Sequence, residues 1–92
     1  MISLVDLIGF CDLTPDEVHA IAEHEHIADA LAIVFGTSLL QATHGPEQIR
    51  DILVDELRTA IRRRDIPQAR HLVSTLRHFL HEHPAAAFRR AA

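Results

Sequence analysis

Apolar residues recur at spacings of three and four along most of the chain, and no segment alternates apolar and polar residues with period two. This periodicity predicts amphipathic α-helices and no β-strands. Breaks that contain proline or glycine divide the pattern into segments. We predict a short helix over 3–10, a long helix over 15–42, two further helices over 46–64 and 67–82, and a frayed tail over 84–92.

The start of the long helix carries a strong sequence signal. Thr14 is placed as the N-cap, Pro15 as the first helical residue, and Glu17 three residues after the cap, which is the pattern of a capping box. Gly36 is tolerated inside a helix, so the segment is predicted to continue to residue 42. The alternative is a break at Gly36.

The connections between these helices are two to five residues long, as in an antiparallel helical bundle. A chain of 92 residues has room for one core, so residues 1–92 form a single domain. The predicted fold is all-α: three main helices and a short N-terminal helix, completed by dimerisation.

Several ionisable side chains fall on the sides of the helices that are predicted to face the core. Glu17, His24 and Glu25 lie within or beside the apolar arc of the long helix, and Glu56 lies within the apolar stripe of the next one. A buried carboxylate without a partner costs several kcal/mol. Each must therefore be protonated, hydrogen-bonded, paired with a cation or bound to a metal.

The opposite side of the long helix is also apolar. Ile27, Ala30, Ile33 and Val34 form a second apolar surface that a single copy would leave in water. The pattern predicts a homo-oligomer that associates through the long helix.

The composition of the chain disfavours two classes of partner, nucleic acids and membranes. The net charge of −4 and the absence of Trp and Tyr disfavour nucleic acid, because phosphates attract cations and bases stack on aromatic rings. The longest apolar run, 30–36, is far shorter than the ~18 residues that a membrane helix needs. Cys11 is the single cysteine, and the chain start resembles no signal peptide, since Asp6 interrupts its apolar stretch. We expect a cytoplasmic protein with neither a nucleic-acid nor a membrane partner.

The segment Glu23-His24-Glu25-His26 is the main candidate for chemistry. It contains one Glu-x-x-His motif, the spacing by which ferritin-like diiron proteins place two ligands on one helix face. Oxygen and nitrogen donors without a thiolate suit iron, manganese or zinc more than copper(I) or an iron–sulfur cluster. Of these metals we expect iron. The predicted metal ligands are Glu23, His24, Glu25, His26, Glu56 and His78.

The run Ala20-Ile21-Ala22-Glu23-His24-Glu25-His26, which follows a Leu-Thr-acidic helix start, resembles a family of small bacterial helical proteins. The resemblance covers about residues 4–45. It implies a helical fold and a bacterial source, and it carries over no activity and no catalytic residue.

Two functions remain as hypotheses. The first is a metal-binding oligomer, with iron storage or oxygen and peroxide chemistry as its reaction. The second is a non-enzymatic interaction module, either a homo-oligomer whose Glu–His pairs make assembly pH-dependent or a small regulator that binds another protein. The plainest alternative for the Glu23–His26 segment is a solvated helix face with salt bridges. A nucleophilic enzyme is disfavoured, because no Ser or Cys has an evident base beside it.

Overall fold

A computed structural model describes residues 12–87 of the chain, and within that range every regular element is helical. The all-α prediction is confirmed. The helix predicted over 3–10 lies outside the described residues. In chain order the elements are α1 (Pro15–Glu25), α2 (Asp29–Gln41), α3 (Gly45–Arg62), α4 (Ile66–Glu82) and a 3₁₀ helix (Pro84–Ala87).

The single long helix over 15–42 is a wrong prediction. Its break lies at His26, which adopts the left-handed conformation with φ of 57°, and not at Gly36. The Ile27 N–H donates to the Ala22 carbonyl at 3.1 Å, which caps the end of α1. Histidine tolerates this conformation better than most residues with a Cβ atom, so the chain turns here without a glycine.

The break changes which residues of the second half face outwards. Ile33, predicted on the outer surface, is buried in the core, while Leu31 is 59% exposed. Val34 and Ala30 do face water as predicted, with Val34 at 64% exposure. The helical phase carried through His26 therefore places Ala30 and Val34 correctly and Ile33 wrongly, because α2 starts anew after the turn.

Helices α3 and α4 begin and end within two residues of the predicted bounds of 46–64 and 67–82. Each has a proline in its first turn, where the missing N–H is not needed. Asp65 caps α4 by accepting a hydrogen bond from the Gln68 N–H at 3.2 Å. Their strong amphipathic patterns made them the most predictable part of the fold.

Helix α3 lies at the centre of the arrangement and packs against α1, α2, α4 and the 3₁₀ helix. The described chain measures 41 × 31 × 21 Å, and its shortest dimension is about two helix diameters. Among the described residues, α2 packs against α1 and α3. The largest fully buried side chains are Phe79, Ile21, Ile49, Leu53, Glu17 and Val18.

The prediction of a frayed tail over 84–92 is wrong for its first four residues. The 3₁₀ helix packs against α3 and α4, and Ala86 is fully buried. The Arg50 guanidinium donates a hydrogen bond from Nη1 to the Ala86 carbonyl at 2.7 Å. Residues 88–92 lie outside the described range.

Candidate functional site

His24, in the last turn of α1, is held between two carboxylates. Its Nδ1 lies 2.5 Å from Glu25 Oε2, and its Nε2 lies 3.3 Å from Asp55 Oδ2 on α3. Both ring nitrogens can donate only when the imidazole is protonated. Partial burial by itself lowers the pKa of His24, but the hydrogen bonds to Glu25 and Asp55 outweigh it, so this pKa lies above its ordinary value. When protonated, the ring links α1 to α3, and this contact is called the His24 link.

Glu56 is the second perturbed group of this region. Its side chain is half-buried, and burial raises the pKa of Glu56 above its ordinary value. The charge of His24 opposes that rise, and the charge of Glu23 adds to it. The prediction that Glu56 points inwards is thus supported, whereas Glu25, predicted at the core margin, is exposed.

These groups surround a groove of about 430 Å³ between the end of α1 and α3. The groove contains both signs of charge, since Arg62 at the end of α3 and Arg63 just after it line the groove together with the carboxylates. Such a mixture favours ion pairing over the capture of a single cation. Its lining residues are Glu23, His24, His26, Asp55, Glu56, Thr59, Arg62 and Arg63.

The structure brings together four of the six predicted ligands: Glu23, His24, His26 and Glu56 line the groove. Glu25 reaches the site only through its contact with His24. His78 lies elsewhere, because it borders a cavity beside Asp12 and Thr14 at the opposite end of α1. The eleven residues of α1 span about 16 Å between these two ends.

Asp55, Arg62 and Arg63 were missed as members of the site. The spacing of 55, 59 and 62 places three of the lining residues on one face of α3, and this signal was readable from the sequence. The sequence alone did not show that this face meets the end of α1.

Within residues 12–87, no three His, Cys, Asp or Glu side chains form a group arranged to hold a metal ion. His24 directs both of its nitrogens at carboxylates, so neither is free to ligate in this arrangement. Over the same range, no helix combines the length and apolar character needed to cross a membrane.

A second titratable cluster lies at the start of α1. The capping box is confirmed: the Thr14 N–H donates to Glu17 Oε1 at 2.9 Å, and the Glu17 N–H donates to Thr14 Oγ1 at 3.2 Å. Glu17 is only 2% exposed, and burial raises its pKa above the ordinary value of 4.5. The hydrogen bonds from Thr14 and the charges of His78 and His83 reduce that rise.

Comparison of the chain with protein-family models, with curated proteins and with solved structures finds no match.

The His24 link is expected to make folding stability depend on pH. Since the folded-state pKa of His24 is raised, its contribution is fully present below about pH 6.5 and is lost as the pH rises through that higher pKa. We expect the free energy of unfolding of the wild type to exceed that of His24→Gln by about 1 kcal/mol more at pH 6 than at pH 9. Urea denaturation at both pH values measures this difference.

His81→Gln is the matched control, because His81 is exposed on α4 away from the groove. The His24 link would be contradicted if the two variants showed the same pH dependence relative to the wild type.

Ionisation of Glu17 is expected to lower the free energy of unfolding, which is opposite to the effect of protonating His24. An acid whose pKa is raised by folding destabilises the fold once it ionises, so the cost is present above the folded-state pKa and absent below about pH 4.5. Glu17→Gln removes the charge and keeps an oxygen for the Thr14 N–H. We expect a gain of about 1 kcal/mol in the free energy of unfolding at pH 7.5, which disappears near pH 4.

Glu82→Gln removes an exposed carboxylate and provides the control in the same denaturation series. A Glu17→Gln variant that is less stable than the wild type at pH 7.5 would show that the ionised carboxylate stabilises the cap.

Proposed function

We propose that this protein is a non-enzymatic helical interaction module that self-associates through the outer face of α2. The observation that carries the proposal is the chemistry of this face, which is exposed and contains no charged residue. Its members are Ala30, Leu31, Val34, Ser38 and Gln41.

The absence of charge on the α2 face favours a second copy as its partner. A charged surface docked here would lose hydration without gaining an ion pair, whereas another α2 face is equally uncharged. Ala30 and Ser38 lie four residues before and after Val34 on the same face. These small side chains allow two helices to approach closely around a two-fold axis near Val34.

The exposure of two apolar side chains also supports this proposal. Leu31 and Val34 are large and apolar, and both are more than half exposed in the part of the chain that the structure describes. A second copy that covers them removes apolar surface from water, and this stabilises the dimer by roughly 25 cal/mol for each Å² buried. The His24 link joins α1 to α3 close to the turn into α2, so protonation stabilises the bundle that presents this face.

Analytical ultracentrifugation over a roughly hundredfold range of protein concentration tests the proposal, because the mass of a self-associating protein rises with its concentration. We expect the weight-average mass to rise from that of one 10.3 kDa chain to that of two. A single-chain mass at the highest concentration would refute self-association.

Metal binding is a second candidate, favoured by one observation. Glu23, His26 and Glu56 line the same groove and offer the oxygen and nitrogen donors that iron, manganese or zinc accept. A metal would require these side chains to move closer together and would compete with Arg62 and Arg63 for the carboxylates.

Elemental analysis of protein purified without a chelator tests this candidate. The metal hypothesis predicts near-stoichiometric iron, manganese or zinc that falls by at least about tenfold in Glu23→Gln/Glu56→Gln. Metal content that is unchanged in this variant, or absent after anaerobic iron addition, would leave the interaction module alone.

A further inference from the structure

The outer face of α4 carries a row of cationic and polar side chains. Arg70, Ser74, Arg77 and His81 follow one another at spacings of four, three and four, so they lie along one side of the helix. All four are exposed. The only acidic residue of α4 is Glu82, at the end of the helix.

The two arginines of this row lack partners among the residues that the structure describes. Neither the Arg70 nor the Arg77 guanidinium takes part in a salt bridge or hydrogen bond there, whereas Arg50 and Arg58 pair with aspartates of α3. The chain as a whole has a net charge of −4, so two unpaired arginines make this face positive where the protein is otherwise negative. An acidic partner is attracted to this face and repelled by the rest of the surface.

One edge of the row is apolar. Ile66 and Val73 are 55% and 40% exposed and lie beside Arg70 and Arg77 around the helix. Apolar side chains beside a cationic row suit a protein surface that is itself amphipathic. They suit a phosphate backbone less well, and no Trp or Tyr is available to stack on bases.

We propose that the outer face of α4 docks an acidic amphipathic helix of a partner protein. Arg70 and Arg77 are seven residues apart, a separation of about 10 Å along the helix axis. The partner therefore carries two carboxylates about two helical turns apart, with apolar residues beside them that cover Ile66 and Val73. This interaction does not depend on self-association through α2.

Fluorescence anisotropy with a labelled synthetic peptide tests the proposal. The probe is a stapled amphipathic helix with two glutamates at the separation of Arg70 and Arg77 and leucines along one edge. We expect saturable binding at low ionic strength, and a dissociation constant at least about tenfold higher for Arg70→Gln/Arg77→Gln. The variant Arg58→Gln/Arg62→Gln removes the same charge from α3 and is expected to change the constant by less than about twofold.

Three results would overturn the proposal: no saturable binding of the peptide, equal losses in the two double variants, or unchanged binding after its leucines are replaced by serines. An oligonucleotide is the competing probe. If it bound more tightly than the peptide with the same dependence on Arg70 and Arg77, the face would be a site for nucleic acid and the proposal would be wrong. Circular dichroism of each variant verifies that the helices are retained.

Discussion

Replacing Leu31 and Val34 with glutamate is expected to leave the helices folded and to raise the dissociation constant of the proposed dimer by about a thousandfold. Both side chains are largely exposed in a single copy, so their replacement removes little packing within the chain. In a two-fold dimer each substitution occurs twice. Four apolar contacts at about 1 kcal/mol each amount to about 4 kcal/mol, or about three powers of ten in the constant.

The measurement is sedimentation of Leu31→Glu/Val34→Glu beside the wild type, with circular dichroism to show that helix content is unchanged. Gln48→Glu/Ser74→Glu is the control, because it adds two negative charges at exposed positions of α3 and α4. The control is expected to dimerise like the wild type. If both variants dissociated to the same extent, net charge would be responsible for the effect and the α2 face would not be the interface.

The sequence was most informative where local signals and the apolar period agree. The capping box of α1 follows from Thr14 and Glu17 alone, because both hydrogen bonds connect residues three apart. The bounds of α3 and α4 follow from prolines at their starts and clear apolar stripes. In each case the determining interactions lie within a few residues of one another.

The turn at His26 was not predictable in the same way. Nothing in Glu23-His24-Glu25-His26 forbids a continuous helix, but the left-handed conformation of His26 turns the chain so that α2 packs back on α1 and α3. Tertiary packing thus overrides local helix propensity at this position. Once the turn is missed, a residue of the following helix is assigned to the wrong face, as Ile33 was.

The candidate site illustrates the same limit. Of the six ligands predicted from the sequence, Glu23, His24, His26 and Glu56 line the groove, while Glu25 and His78 do not. Sequence spacing could not supply Asp55 as the partner of His24, because these residues are 31 positions apart and meet only through the packing of α1 on α3. With Asp55 and Glu25 beside it, His24 has a carboxylate at each ring nitrogen, so neither nitrogen is free to ligate a metal in this arrangement.

A second large effect is expected for a substitution of Gly45, the first residue of α3 after the tight turn from α2. A Cβ atom added to Gly45 would lie 1.4 Å from the Leu39 carbonyl oxygen and 2.5 Å from its carbon. This oxygen is backbone and accepts a hydrogen bond from the Ala42 N–H at 3.0 Å, so it cannot rotate away. Gly45→Ala must therefore displace one helix relative to the other, and we expect a loss of about 3 kcal/mol in the free energy of unfolding.

Gly36→Ala is the matched control for Gly45→Ala, because its added Cβ atom would meet only side-chain ends. The nearest are Leu13 Cδ1 at 2.5 Å and Ile21 Cδ1 at 3.0 Å, and both can shift by rotation of their side chains. Alanine also favours the helix interior over glycine by about 1 kcal/mol, so this variant is expected to stay within about 1 kcal/mol of the wild type. Urea denaturation followed by circular dichroism measures both variants. If both variants lost the same free energy of unfolding, the added volume and not the clash with the Leu39 backbone would determine the cost. A Gly45→Ala chain that does not fold at all is the limiting case of the expected result.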